Sequence, residues 1–206
     1  MITVSLIGDQ PIPNLLPIRY QPPDAVVLVY TDRTQVAAER LGCLLPRDCT
    51  AIPCPVSAYD IRATAQDLLS LVGEHEWAAS DILFNLTGGT KAMALGAYLA
   101  AAELYAPFIY LQSEGKKTRL YRYEFGDDGR PHVSADDLLG ALITIDDYLR
   151  AYVGEYQLTG FAKEEKGRLF EQAIFEALRP VVDEIVSGAR LLGALDVDLV
   201  VRCENQ

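Results

Sequence analysis

Asp81-Ile82-Leu83-Phe84-Asn85-Leu86-Thr87-Gly88-Gly89-Thr90-Lys91-Ala92-Met93 is the stretch whose reading decides the fold. Residues 81–85 read as a short buried strand and residues 90–105 as a strong helix, so a pair of glycines falls at the junction. Two glycines let the backbone turn sharply and come close to a ligand. A helix that starts near Thr90 presents orphan N–H groups and the positive end of its dipole. Asn85, Thr87 and Thr90 add groups that donate or accept hydrogen bonds, and Lys91 adds a point charge. The set suits phosphate or the polar edge of a nucleotide; a helix cap after a tight turn is the alternative reading. The segment is neither the P-loop G-x-x-x-x-G-K-[ST] nor the dinucleotide fingerprint G-x-G-x-x-G.

The surrounding sequence repeats strand and helix. Residues 3–7 form an apolar strand ending at Gly8-Asp9, and a proline-rich loop with Pro11, Pro13, Pro17, Pro22 and Pro23 follows. Residues 25–30 are a continuous apolar run closed by Thr31-Asp32, the pattern of a strand buried on both faces of a parallel sheet. Helical spacing follows at 34–44 and 60–72, and residues 50–56 are at best an edge strand because of Pro53 and Pro55. Residues 108–111 return as a strand, and 118–125 alternate as an antiparallel hairpin partner. The order predicts an α/β fold, a Rossmann-like, mostly parallel sheet with helices on both faces. Residues 136–156 read as one or two helices. A new helix starts at Lys163 and a β segment spans 194–203. The expected division is a first domain over 1–135, a helical connector over 136–162, and the start of a second α/β domain over 163–206. Ala92, Gly96 and Ala100 give one helix a narrow face, for a second subunit or for the chain's own sheet.

Composition narrows the function. With 206 residues, 50% of them apolar and 23% charged, the chain has enough material for a real core. No apolar run approaches the roughly 18 residues of a membrane span. The N-terminal Met1-Ile2-Thr3-Val4 lacks the basic region of a secretory signal, so a cytoplasmic protein without a membrane partner is expected. Eighteen basic residues against 29 acidic ones give a net charge of −11; before Lys163 the counts are 12 and 20, and from it onward 6 and 9. Neither part has the broad basic face of a general duplex-DNA binder, so an anionic ligand needs a local site built from backbone N–H groups and a few cations. Cys43, Cys49, Cys54 and Cys203 form no C-x-x-C pair, and His75 and His132 are the only imidazoles, which argues for reduced thiols rather than zinc.

The run from Asn85 to Met93, Asn-Leu-Thr-Gly-Gly-Thr-Lys-x-Met, resembles the signature of CARF domains, the sensors of type III CRISPR ancillary proteins. Gly8-Asp9-Gln10-Pro11-Ile12-Pro13-Asn14 after the first strand and Thr31-Asp32-Arg33 after the second agree with it, and the resemblance covers residues 1–125. It implies a homodimer that binds cyclic oligoadenylate across its two-fold axis, with cyclic tetra-adenylate favoured over cyclic hexa-adenylate. It further implies a pocket lined by Gly8, Asp9, Gln10, Thr31, Asp32, Asn85, Thr87, Gly88, Gly89, Thr90, Lys91, Met93, Gln112 and Ser113. Two alternatives stay open. One is a ring nuclease, in which a ribose 2′-OH attacks the adjacent phosphate while Lys91 stabilises the developing charge. The other is a Rossmann-like nucleotide-binding regulator, against which the missing glycine fingerprint counts.

A second resemblance lies further along. Gly167-Arg168-Leu169-Phe170-Glu171 on a helix and Leu195-Asp196-Val197 opening a strand look like the first half of a PD-(D/E)xK nuclease. The resemblance implies that Glu171 and Asp196 are catalytic carboxylates holding Mg²⁺ or Mn²⁺ in an intact protein that cuts DNA or RNA. Asp198 lies on the same face as Asp196 and competes as a ligand, and a solvated helix face is the alternative for Glu171. No (D/E)-x-K follows Asp196, so the sequence is expected to be a shortened form of a longer nuclease.

Overall fold

The protein is described by a computed structural model, over residues 1–115 and 117–204. Its elements in chain order are β1 (Ile2–Leu6), α1 (Ile12–Tyr20), β2 (Ala25–Tyr30), α2 (Gln35–Cys43), β3 (Thr50–Pro55), α3 (Ile61–Glu74), β4 (Ile82–Asn85) and α4 (Lys91–Leu104). There follow β5 (Phe108–Glu114), β6 (Lys117–Phe125), β7 (Pro131–Leu139), α5 (Ile145–Val153), β8 (Tyr156–Leu158), α6 (Glu165–Leu178), β9 (Glu184–Leu191) and β10 (Leu195–Arg202). The described residues form a seven-stranded sheet ordered β3-β2-β1-β4-β5-β6-β7 and a three-stranded sheet ordered β10-β9-β8. Strands β3 through β5 pair in parallel, and β6 and β7 close that edge as antiparallel neighbours.

Alternation along the central strands divides the core. Val4, Leu6, Val27, Val29 and Phe84 pack beneath α3 and α4, while Ile7, Val26, Leu28 and Leu83 pack with α1, α2 and α5 on the opposite face. Helices therefore cover both faces, as the Rossmann-like reading requires. The switch point of the sheet lies between β1 and β4, whose following helices leave on opposite faces. The narrow face of α4 is used within the chain: a Cβ on Gly96 would lie 2.8 Å from the Ile61 carbonyl oxygen on α3.

Two expectations are corrected. Most of the proline-rich stretch is not a loop but helix α1, and only Pro22 and Pro23 follow it as loop. Pro11 occupies its cap position and Pro13 its first turn, where an N–H has no intrahelical partner anyway. Pro17 lies inside the helix and leaves the Pro13 carbonyl without its usual N–H donor; Asn85 Nδ2 donates to that carbonyl at 3.0 Å instead. Residues 136–139 are not helical either. They end β7, where Asp136 faces Tyr121 across the ladder and its carboxylate pairs with Arg119 at 3.2 Å. The helix of that region starts only after Thr144, which caps it by accepting the Asp147 N–H at 3.0 Å.

Helix α5 is tied to the first sheet's helices by charge. Arg19 on α1 donates to Asp147 at 2.6 Å, and Asp147 also accepts from the Thr144 N–H and hydroxyl. Burial pushes the Asp147 carboxyl up, but the hydrogen bonds from Arg19 and Thr144 outweigh it and hold the group below its ordinary 3.8. A depressed carboxylate contributes stability that is present above the unfolded pKa and is lost as pH falls through the folded one. Arg19→Met is therefore expected to cost about 1.5 kcal/mol at pH 7. Urea denaturation at pH 7 and near pH 3 checks this: the cost shrinks in acid, and an equal cost at both pH values refutes the assignment.

Candidate functional site

The loops after β1 and β4 touch at the switch point. A Cβ on Gly8 would sit 3.1 Å from the Gly89 nitrogen, and one on Gly88 would sit 2.0 Å from the Leu6 carbonyl oxygen. Gly89 has φ +70°, a conformation that L side chains rarely adopt. Both halves of the Gly88-Gly89 pair are thus required by geometry, one by close approach and one by backbone conformation.

An amide network fixes the two loops. Asn14 and Asn85 are fully buried. Asn14 Nδ2 donates to the Leu6 carbonyl at 3.0 Å and Asn14 Oδ1 accepts from Asn85 Nδ2 at 3.2 Å. Asn85 Oδ1 accepts both the Thr87 N–H at 3.1 Å and the Thr87 hydroxyl at 2.7 Å, and that hydroxyl accepts the Leu111 N–H at 2.9 Å. Asn85 therefore has both ends of its amide committed; it positions the loop.

The start of α4 is capped unusually. Thr90 Oγ1 accepts the Met93 N–H at 3.1 Å and donates to the Ala58 carbonyl at 2.6 Å, which ties in the loop after β3. The Thr90 N–H points to the Met93 thioether at 3.4 Å, the place Glu or Gln takes in an ordinary capping box. Lys91 is exposed in the first turn, where N–H groups of a helix lack intrahelical partners.

Two clefts flank the touching loops. The first, about 480 Å³, gathers Gly8, Asp9, Thr31, Asp32, Gly89, Thr90 and Met93 from the expected set. The second, about 400 Å³, receives Gln10, Thr87 and Ser113. Gly88 packs between the loops, Lys91 lies beside Thr90, and Gln112 is exposed on β5 next to Ser113. Thr31 is tied to Thr34, whose hydroxyl oxygen accepts the Thr31 N–H at 3.0 Å. Asp9 pairs with Arg33 at 2.7 Å across the mouth of the first cleft. Both are exposed, so the pair adds little stability, but it holds a guanidinium where an arriving anion can take over from Asp9.

The pocket expected from sequence leaves out Arg33, although its segment Thr31-Asp32-Arg33 is named there, and also the loop Ser57-Ala58-Tyr59 and Tyr148 and Tyr152 on α5, which all line one cleft or the other. The first two had a readable signal, since each follows the C-terminal end of a strand in the parallel sheet. The tyrosines had none.

In the second unit, Glu171 on α6 accepts the Ala162 N–H at 2.8 Å, and both oxygens of Asp196 on β10 are held by Arg190 at 2.7 and 3.2 Å. The Arg190 hydrogen bond keeps the Asp196 carboxyl below its ordinary value. The structure does not bring Glu171 and Asp196 into a metal-binding group, and among the described residues no cluster of three or more His, Cys, Asp or Glu could hold an ion. Among the described residues no helix is long and apolar enough to cross a membrane.

Comparison with known proteins gives a consistent picture. A family model described as the Card1 CARF domain matches residues 2–148. Can2 from Sulfobacillus thermosulfidooxidans, solved with cyclic tetra-adenylate, superposes with TM-score 0.73 at 17% identity over 97% of this chain and 75% of its own. Protein VC1899 from Vibrio cholerae gives 0.74 at 12% identity, over 98% and 77%. A type III CRISPR defence DNA nuclease activated by cyclic oligoadenylate gives 0.69 at 18% identity, over 100% of this chain and 39% of its own. At such identities these structures speak for the fold. No curated protein sequence matches this chain.

The amide network makes its own prediction. Asn85→Ala removes the partner of the Pro13 carbonyl, of Asn14 Oδ1 and of the Thr87 N–H at once. Roughly 3 kcal/mol of stability is expected to be lost, since each buried group left unsatisfied costs about 1–3 kcal/mol. Denaturant unfolding measures it, and a change under about 0.5 kcal/mol would remove the network from the account.

Proposed function

The chain belongs to the Card1 CARF domain family, and from that premise we propose that it is a sensor of cyclic oligoadenylate in type III CRISPR defence, with cyclic tetra-adenylate as the favoured ring. The observation that carries this reading is the contact of the Gly8 and Gly89 loops at the switch point, beside the first turn of α4 and Lys91. It gives a polyanion backbone N–H groups and a few cations in a protein whose net charge of −11 would otherwise repel it.

In this reading two copies enclose one ring, each contributing half of the site, because a two-fold ligand matches an isologous interface. The outward face of α4 supports a partner: Leu95 and Leu99 lie one turn apart and are 52% and 49% exposed. The second unit is the effector, of the nuclease type that α6 and β10 resemble and acting on DNA or RNA, and the ring shifts the population of its arrangements. Sensing is the activity assigned to the described residues. No cleavage step is assigned to Glu171 and Asp196, whose carboxylates are engaged by the Ala162 N–H and by Arg190.

Calorimetric titration with cyclic tetra-adenylate, cyclic hexa-adenylate, linear tetra-adenylate and AMP tests the proposal. One ring per two chains is expected, with at least tenfold weaker binding in Lys91→Ala, a loss of about 1.4 kcal/mol or more. Failure to bind either ring would overturn the sensor assignment.

A further inference from the structure

The two clefts differ in chemistry. The first carries charge: the Arg33 guanidinium and the start of α4, which attract phosphate, stand beside the carboxylates of Asp9 and Asp32. None of the residues lining the second carries a charge. Its walls come from α1, the Thr87 loop, the ends of β5 and β6, and two tyrosines of α5. Tyr148 and Tyr152 are one turn apart, with ring centroids 4.6 Å apart and planes tilted by 34°. Tyr152 packs into the core and Tyr148 is 39% exposed, so the pair is a supported aromatic surface with one ring accessible. At the rim Gln10 is exposed, and its amide has no hydrogen-bond partner among the described residues.

A neutral cleft with an aromatic wall and an exposed carboxamide offers a phosphate neutral donors but no cation. It suits a flat heterocycle with both donors and acceptors on its edge. Every base has a face that stacks on an aromatic ring, whereas the carboxamide is selective: its oxygen accepts from the adenine 6-amino group while its nitrogen donates to N7. A 6-oxo purine presents two acceptors there and leaves the carboxamide oxygen facing another oxygen.

We propose that the second cleft is a base subsite for the adenylate ring, in which Tyr148 stacks on one adenine and the Gln10 amide reads its 6-amino/N7 edge. The inference rests on the sensor reading above and adds to it the residues that set adenine specificity. It also gives the ligand a direct hold on α5 through Tyr148, and the Ile145 N–H at the start of that helix is bonded in turn to Glu184 of β9 at 2.8 Å.

The test is calorimetric titration of the whole chain with cyclic tetra-adenylate and with cyclic tetra-inosinate, whose bases carry a 6-oxo group. Wild type is expected to prefer the adenylate ring by tenfold or more. Gln10→Ala brings the two rings to within about twofold of each other. Tyr148→Ala weakens both rings roughly tenfold and keeps the preference, whereas Tyr148→Phe, which retains the stacking face, binds like wild type. If Gln10→Ala and Tyr148→Ala keep wild-type affinity and preference while Lys91→Ala loses binding, the sensor stands and the base subsite is overturned. If wild type binds neither ring, the sensor reading fails and the subsite fails with it.

Discussion

Close approach of two backbone segments governs this molecule. Where β1 and β4 end side by side, their loops must part to opposite faces of the sheet, and they do so in contact. The contact leaves no room for a side chain at Gly88, which faces the Leu6 carbonyl, and little at Gly8, which faces Gly89. Polar backbone exposed at such a junction has to be satisfied locally. Asn14 and Asn85 do this from inside the core, and in doing so they repair the carbonyl that Pro17 leaves without a donor. Helix α1, the loop geometry and the position of Thr87 all depend on this one arrangement.

In the proposed sensor the same junction addresses the electrostatic difficulty of an acidic protein receiving an anion. Net charge acts over distances that physiological salt screens within about 8 Å, so the local field at the loops matters more than the total. That field combines the start of α4, Lys91 and Arg33, which Asp9 holds at the cleft mouth, with the opposing carboxylates of Asp9 and Asp32. Asp9 then has two effects of opposite sign: it keeps the guanidinium in place before a ligand arrives and competes with the ligand once it is there. The uncharged second cleft is subject to neither effect, and it differs from the first in the kind of group it can receive.

Much of this was legible because the parallel sheet writes itself in plain apolar runs. The strands at residues 25–30 and 82–85 are buried on both faces, and the glycine pair after the second marks the turn. Helix α1 was hidden because prolines signal loops unless they fall where a helix has no N–H to spare, and the donor replacing the one lost at Pro17 is 72 residues away in sequence. The acids of residues 136–137 look like a helix start, but Asp136 serves a cross-strand pair with Arg119, which only the folded ladder brings together. Asn85 looks like a ligand donor in the sequence for a similar reason: its type and place fit, and its saturation by Pro13, Asn14 and Thr87 is a tertiary fact. Strand β9 escaped notice because its half-buried residues alternate weakly and Gly188 interrupts them with φ +62°.

Helix α5 is where the two sheets meet. One side packs Ala151 and Tyr152 into the core beneath α1 and α2, and the other packs Ile145 and Leu149 against Ala189 and Leu191 of β9. Polar ties repeat this division. Arg19 binds Asp147 and Arg40 donates to the Tyr152 carbonyl on the first side; on the second, Glu184 accepts the Ile145 N–H and binds Arg202 of β10. A helix of nine residues held at so many points couples the position of one sheet to that of the other. A ligand shifts such an equilibrium only by the difference in its affinity for the two arrangements, so a residue of α5 that lines the ligand cleft matters more than its share of the contact area. Tyr148 lines the second cleft from within the helix, four residues from Thr144 and one from Asp147, so in the proposed subsite binding and coupling meet at one residue.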